Sequence, residues 1–217
     1  MDTISQLRNL IPFEVFDYQV IMVALSRYRK PRDIVSRLVR ECKIVRIKKG
    51  LYCFAENYRK SPISRGYLSN LIYGPSYVSL DYALSYYGLI PEAVYSITSV
   101  TMRRSCRFNN LFGLFIYQKT PESKYSCGIT LTTEGIDTSY LIASPEKALV
   151  DKIWFDKRFS GRNKSEFRNY IYTDLRIEVE DLIKLDLSEL YKISNSYNSL
   201  IVSNLFEFVV EEKRKYA

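Results

Sequence analysis

RYRKPRDIVSRLVRECKIVRIKK, residues 27–49, decides how this chain is read. The stretch holds ten Lys/Arg and two acidic residues, a net charge of +8 that equals the whole protein's, so the remaining chain is close to neutral. Pro31 suits the first turn of a helix, where its missing amide proton would go unpaired in any case. From Pro31 to Cys42, the apolar residues Ile34, Val35, Leu38, Val39 and Cys42 recur at helical spacing and share one arc. Arg32, Asp33, Ser36, Arg37, Arg40 and Lys43 cover the opposite arc. The period then changes. Ile44–Ile47 and Leu51–Phe54 are short β-prone runs, and Lys48-Lys49-Gly50 between them makes a turn in which Gly50 can take a positive φ.

Upstream, Ile4–Leu10 reads as a first helix and Glu14–Ser26 as a second, with Val15, Phe16, Val20, Val23, Ala24 and Leu25 as its apolar contacts. Three helices and a basic-tipped hairpin describe a winged helix-turn-helix occupying residues 1–60. A contrast this sharp between a basic module and a neutral body points to double-stranded DNA. The third helix would enter the major groove, offering Arg32, Ser36, Arg37 and Arg40 to bases or phosphates, and its N-terminus favours a phosphate. Arg46, Lys48 and Lys49 would reach the backbone or a minor groove from the wing. Arg29, Lys30 and Lys43 complete the expected DNA-binding set. Most of these contacts would position the duplex rather than read it. RNA binding and an ordinary solvated helix face beside a Lys-rich turn are the alternatives on these residues alone.

Residues 61–217 form the expected second domain, so that the chain as a whole is α+β: a mixed body around an antiparallel sheet, with C-terminal helices. Glu56–Arg65 is a polar linker. Ser79–Tyr87 reads as a helix capped by Gly88. Strands are expected over Tyr95–Met102, Leu111–Gln118, Cys127–Leu131 and Thr132–Tyr140, with Arg103, Arg104 and Arg107 in a loop between the first two. Ser144-Pro145-Glu146 starts a strong helix whose buried stripe is Ala148, Leu149, Ile153 and Trp154. Val179–Leu185 begins another, and the segment from Ser188 to Lys215 is helical with a break near Ser194–Ser199. Its apolar face carries Ile201, Val202, Leu205, Phe206, Val209 and Val210.

Composition narrows the chemistry. The chain has no histidine, which removes histidine nucleophile triads, H-E-x-x-H zinc sites and histidine general bases. The four cysteines lack a C-x-x-C pair and are expected as buried thiols rather than metal ligands. No phosphate-loop or dinucleotide fingerprint is present, and Glu146 and Asp151 are five residues apart, a poor spacing for a metal pair. No catalytic residue, metal or cofactor is therefore expected. Nineteen tyrosines are unusual, and either a contact surface or the codon bias of an AT-rich genome explains them. No run approaches a membrane span, and the polar start after Asp2 is unlike a signal peptide, so no membrane association is expected and cytoplasmic residence is the default.

Three strings, in order, resemble the AbiEi-type antitoxin and transcriptional regulator family of bacterial abortive-infection systems. They are residues 37–52 (RLVRECKIVRIKKGLY), 77–84 with 88–92 (YVSLDYAL, GLIPE) and 143–152 (ASPEKALVDK). The resemblance organises roughly residues 14–155. It implies an autoregulatory repressor that binds inverted repeats upstream of its own toxin-antitoxin operon, and a larger domain that opposes a nucleotidyltransferase-like toxin. Cys42 stands where that pattern often has a helix-ending glycine. The competing functions are a DNA-processing or restriction-related enzyme targeted by the basic domain, and a ligand-sensing regulator with a pocket in the second domain.

Overall fold

Val15 and Phe16 leave the helical pattern expected over 14–26 and extend instead. In the computed structural model, which describes residues 2–134 and 138–216, they belong to a short strand, and the helix begins only at Tyr18. Asp17 marks the switch: its carboxylate accepts from the Val20 amide at 2.8 Å and so caps the helix. The chain divides into two compact units, residues 1–64 with 134–138 and residues 65–133 with 139–217.

The first unit runs α1 (Thr3–Leu10), β1 (Val15–Asp17), α2 (Tyr18–Ala24), α3 (Pro31–Arg40), β2 (Ile44–Lys48) and β3 (Leu51–Phe54). Its three strands are antiparallel in the order β1-β3-β2, with Phe16 opposite Tyr52 and Ile44 opposite Phe54. Ile4, Leu7, Ile11, Phe16, Ile21, Leu25, Leu38, Ile44 and Phe54 fill the core. Burying each of these side chains stabilises by roughly 1.5–3 kcal/mol before chain entropy is counted. The late start of α2 rotates its inner face onto Ile21. Val20 and Val23, expected as apolar contacts, are therefore exposed, Val23 by 74%.

The second unit contains α4 (Arg65–Ile72), β4 (Ser76–Val78), α5 (Leu80–Tyr86), β5 (Ile97–Thr101), β6 (Cys106–Asn110), β7 (Gly113–Lys119), α6 (Glu122–Tyr125), β8 (Ile129–Thr133) and β9 (Ser139–Ala143). Then come α7 (Pro145–Phe155), α8 (Lys164–Asn169), a π-helical turn (Tyr170–Asp174), α9 (Val179–Leu182), α10 (Leu187–Tyr197) and α11 (Leu200–Tyr216). The sheet order is β6-β7-β5-β4-β9-β8. It is mixed, not antiparallel as expected: β5 with β7 and β4 with β9 pair in parallel. Local hairpins show in a sequence, whereas parallel partners meet only through longer connections.

Other expectations shift as well. Arg107 lies within β6, paired opposite Ile116, rather than in a loop, because Cys106 and Phe108 alternate inward beside it. The strand expected over Thr132–Tyr140 splits into the end of β8 and the start of β9, and its residues 135–137 lie outside the described residues. Of the four thiols only Cys53 is buried; Cys106 and Cys127 are half-buried, and Cys42 is exposed in a turn at φ +53°. That turn is the left-handed exit for which glycine is usual. α7 starts as its sequence signals, with the Ser144 hydroxyl accepting from the Lys147 amide at 3.2 Å. Trp154, expected in its buried stripe, is only half-buried, whereas Glu146, Lys147 and Asp151 are buried. α10 ends at Asn198 in the left-handed conformation, which breaks the C-terminal helices within the polar run. Val202, Leu205, Phe208 and Val209 of α11 are buried, while Ile201, Phe206 and Val210 are half-exposed. Among the described residues, no helix is long and apolar enough to cross a membrane.

Candidate nucleic-acid interface

α3 folds where it does because Pro31 fixes its first turn and Val35 and Leu38 bury one side of it. The outward arc carries Arg32, Ser36, Arg37 and Arg40, all exposed, together with Asp33. Lys30 precedes the helix, and no side chain caps its first turn. Arg29 and Lys30, also exposed, join Tyr28, Asp33, Arg37 and Arg40 around a groove of about 380 Å³. On the neighbouring hairpin, Arg46 is exposed in β2, Lys48 is half-buried where the β2–β3 register shifts, and Lys49 is exposed in the turn. Gly50 closes that turn at φ +86°, and its carbonyl accepts from the Tyr18 amide at 2.9 Å, tying the hairpin to α2.

Arg37 and Lys43 are restrained by internal partners. Arg37 donates to the Thr3 hydroxyl at 3.5 Å and stands 3.8 Å from Glu41. Lys43, half-buried, is held between Glu41 at 3.2 Å and Asp2 at 3.4 Å. Its pKa is raised above the ordinary lysine value, chiefly by the hydrogen bond to Glu41. The Ser36 hydroxyl donates back to the Arg32 carbonyl at 3.1 Å. Glu41 therefore offsets part of the charge of its own surface, a role that the i,i+4 spacing from Arg37 could have signalled.

The second unit carries two features that local sequence patterns did not reveal. One is a cleft of about 640 Å³ lined by Ile90, Val94, Phe159 and Tyr170 with Asp81, Glu92, Lys152, Asp156, Arg158 and Asp174. Lys152 pairs with Asp81 at 2.7 Å, and the Tyr170 hydroxyl donates to Asp156 at 2.9 Å. The other is a fully buried polar network on α7. Asp151 accepts from Tyr77 at 3.0 Å, from Ser79 at 2.7 Å and from Tyr197. Lys147, 3.6 Å from Asp151, donates to the Tyr197 hydroxyl at 2.7 Å and to the Lys124 carbonyl at 2.5 Å. Burial pushes the Lys147 pKa down and the Asp151 pKa up, outweighing their mutual attraction. Glu146 is buried separately and accepts from the Asp186 amide at 2.8 Å. Among the described residues, no three His, Cys, Asp or Glu side chains are grouped to hold a metal ion.

Compared with known proteins, the chain matches no protein-family model and no curated sequence.

Proposed function

We propose that this chain is a noncatalytic transcriptional repressor of the AbiEi type that binds double-stranded DNA through its first unit. The observation that carries the reading is the exposed basic arc of α3 beside a hairpin bearing Arg46, Lys48 and Lys49. The element order helix-strand-helix-helix-strand-strand, with sheet order β1-β3-β2, supports a winged helix-turn-helix. In this reading α3 lies in the major groove, where Arg32 and Arg40 meet base edges or phosphates and the hairpin holds the flanking backbone. Occupying inverted repeats upstream of its own operon would block transcription there. The second unit would oppose a nucleotidyltransferase-like toxin, a role that rests on the three family-like strings, which span both units.

The test is binding of the purified chain to DNA from upstream of its gene, followed by fluorescence anisotropy and footprinting. Arg40→Ala should weaken binding, and Lys48→Ala with Lys49→Ala should lower the salt-dependence slope by about 1.8, since each phosphate contact adds about 0.9. Unchanged binding in both folded variants would remove α3 and the hairpin from the interface. Co-expression with the product of a neighbouring nucleotidyltransferase-like gene tests the antitoxin role through growth rescue. A second reading, a ligand-sensing regulator, draws on the cleft beside Phe159 and Tyr170, whose volume suits a small molecule. A metabolite that changes operator affinity would favour it.

A further inference from the structure

The cleft of the second unit has walls of two kinds. Ile90, Val94, Phe159 and Leu175 give it apolar sides, and the Phe159 ring lies stacked on Tyr170 with centroids 4.1 Å apart. The rest of its lining is charged, with Asp81, Glu92, Asp156 and Asp174 set against Lys152 and Arg158. Both cations are already engaged: Lys152 pairs with Asp81 at 2.7 Å, and Arg158 donates to Asp156 at 3.3 Å. Glu92 accepts from Arg176 at 2.8 Å, and the Tyr170 hydroxyl is committed to Asp156 at 2.9 Å. The exposed Asp174 carboxylate differs from the other five charged groups. Among the described residues it has no ion pair and no hydrogen bond from a side chain.

Tyr170 and Asp174 reach the cleft from one π-helical turn, in which the Leu175 amide donates to the Tyr170 carbonyl at 2.8 Å. Such turns are rare and frequent at functional sites. Just beyond it, Arg176 takes φ +53° and from there holds Glu92, tying this wall to the loop that carries Ile90 and Val94. The walls are therefore fixed before any ligand arrives, and a volume of about 640 Å³ falls within the range of small-molecule sites. An anion entering here would have to take Lys152 from Asp81 or Arg158 from Asp156. A cation meets a carboxylate that has no partner to lose. We propose that the cleft binds a small organic cation, a protonated amine with an apolar body, its ammonium on Asp174 and its body against Phe159, Ile90 and Val94. The aromatic faces of Phe159 and Tyr170 attract the same sign of charge. The assignment rests on the ligand-sensing reading of this cleft and adds the class of ligand; it is independent of the DNA contacts drawn for the first unit.

The experiment titrates the full chain with three probes of one shape and different charge: phenethylamine as the cation, phenethyl alcohol as the neutral analogue and hydrocinnamate as the anion. Binding is followed by calorimetry and by ligand-observed NMR. The amine should bind roughly five- to tenfold more tightly than the alcohol, the gain expected from one hydrogen bond to a charged group in an open site, and the anion least well. Asp174→Asn, at an exposed position, should bring the amine down to the level of the alcohol and leave the alcohol unchanged. Val94→Trp, which fills the cleft, should weaken all three. That pattern in variants that remain folded supports the site. An amine affinity unchanged in folded Asp174→Asn overturns the assignment of the ammonium to Asp174. Equal or tighter binding of the alcohol or the anion overturns the cation class and leaves the ligand-sensing reading standing. No binding of any probe to the unaltered chain overturns both.

Discussion

Replacing Asp151 by Asn keeps the volume of a fully buried side chain and removes one charge, so it isolates what that charge does. The carboxylate accepts from Tyr77, Ser79 and Tyr197 and stands 3.6 Å from the Lys147 ammonium. An amide has one acceptor oxygen in place of two. If that oxygen faces Lys147, the amide nitrogen confronts the Tyr77 and Ser79 hydroxyls, both of which now point donors at a donor and must turn. Lys147 meanwhile keeps the Lys124 carbonyl and the Tyr197 hydroxyl but loses its counter-ion in a site without water access. Breaking a buried pair by removing one partner costs about 3–5 kcal/mol. At roughly 2–4 °C per kcal/mol for a protein of this size, the melting temperature should fall by about 6–20 °C. Trp154, the only tryptophan, lies 5.6 Å from the Tyr197 ring and reports on this unit directly in urea unfolding followed by fluorescence. Lys147→Met should cost a similar amount, and the double variant should recover about 2 kcal/mol or more of the summed loss. A single Asp151→Asn loss below about 1 kcal/mol, or strict additivity in the double variant, would refute the reasoning.

Three further outcomes follow from other sites. Burial alone would raise the Glu212 pKa, but hydrogen bonds from Lys215, Arg168 and Tyr172 hold it below the ordinary 4.5. Its stabilising contribution is thus present above that value and lost as pH falls through the lowered folded pKa, so the gap in melting temperature between wild type and Glu212→Gln should close on acidification. A Cβ on Gly66 would come within 2.3–2.8 Å of three atoms of the buried Tyr140 ring, so Gly66→Ala should cost about 1–3 kcal/mol despite the better helix propensity of alanine; a raised urea midpoint would contradict the packing account. Glu41→Gln releases Arg37 and Lys43 from their shared carboxylate and should tighten DNA binding about two- to five-fold at low salt, measured by anisotropy; weaker binding would mean that Glu41 positions these cations instead of competing for them.

The elements legible in the sequence are those whose cause is local. Pro31 and the spacing of Val35 and Leu38 announce α3, Ser144-Pro145 announces α7, and Gly50 marks the hairpin turn. β1 was not legible, because three residues hold as a strand only by pairing with β3, some 35 positions later in the chain. The parallel pairs of the large sheet hide for the same reason. The polar network is the extreme case: Tyr77, Ser79 and Tyr197 lie 74, 72 and 46 positions from Asp151, and their convergence leaves no local trace. Only the i,i+4 spacing of Lys147 and Asp151 is readable in the sequence.

Helices α3 and α7 carry charge in opposite ways, and this separates the consequences of altering them. On α3 the arginines stay in water, where their desolvation cost is deferred until a polyanion arrives; removing one should change binding and leave folding nearly untouched. On α7 the charges are desolvated during folding and each needs its partner at once, so a change there acts through stability and hence through how much protein survives. A repression defect in Asp151→Asn should accordingly vanish when folded protein is compared at equal concentration, whereas a defect in Arg40→Ala should persist. If the Asp151→Asn defect persisted in folded protein, the network would have a role in function beyond holding α7 against α5 and α10.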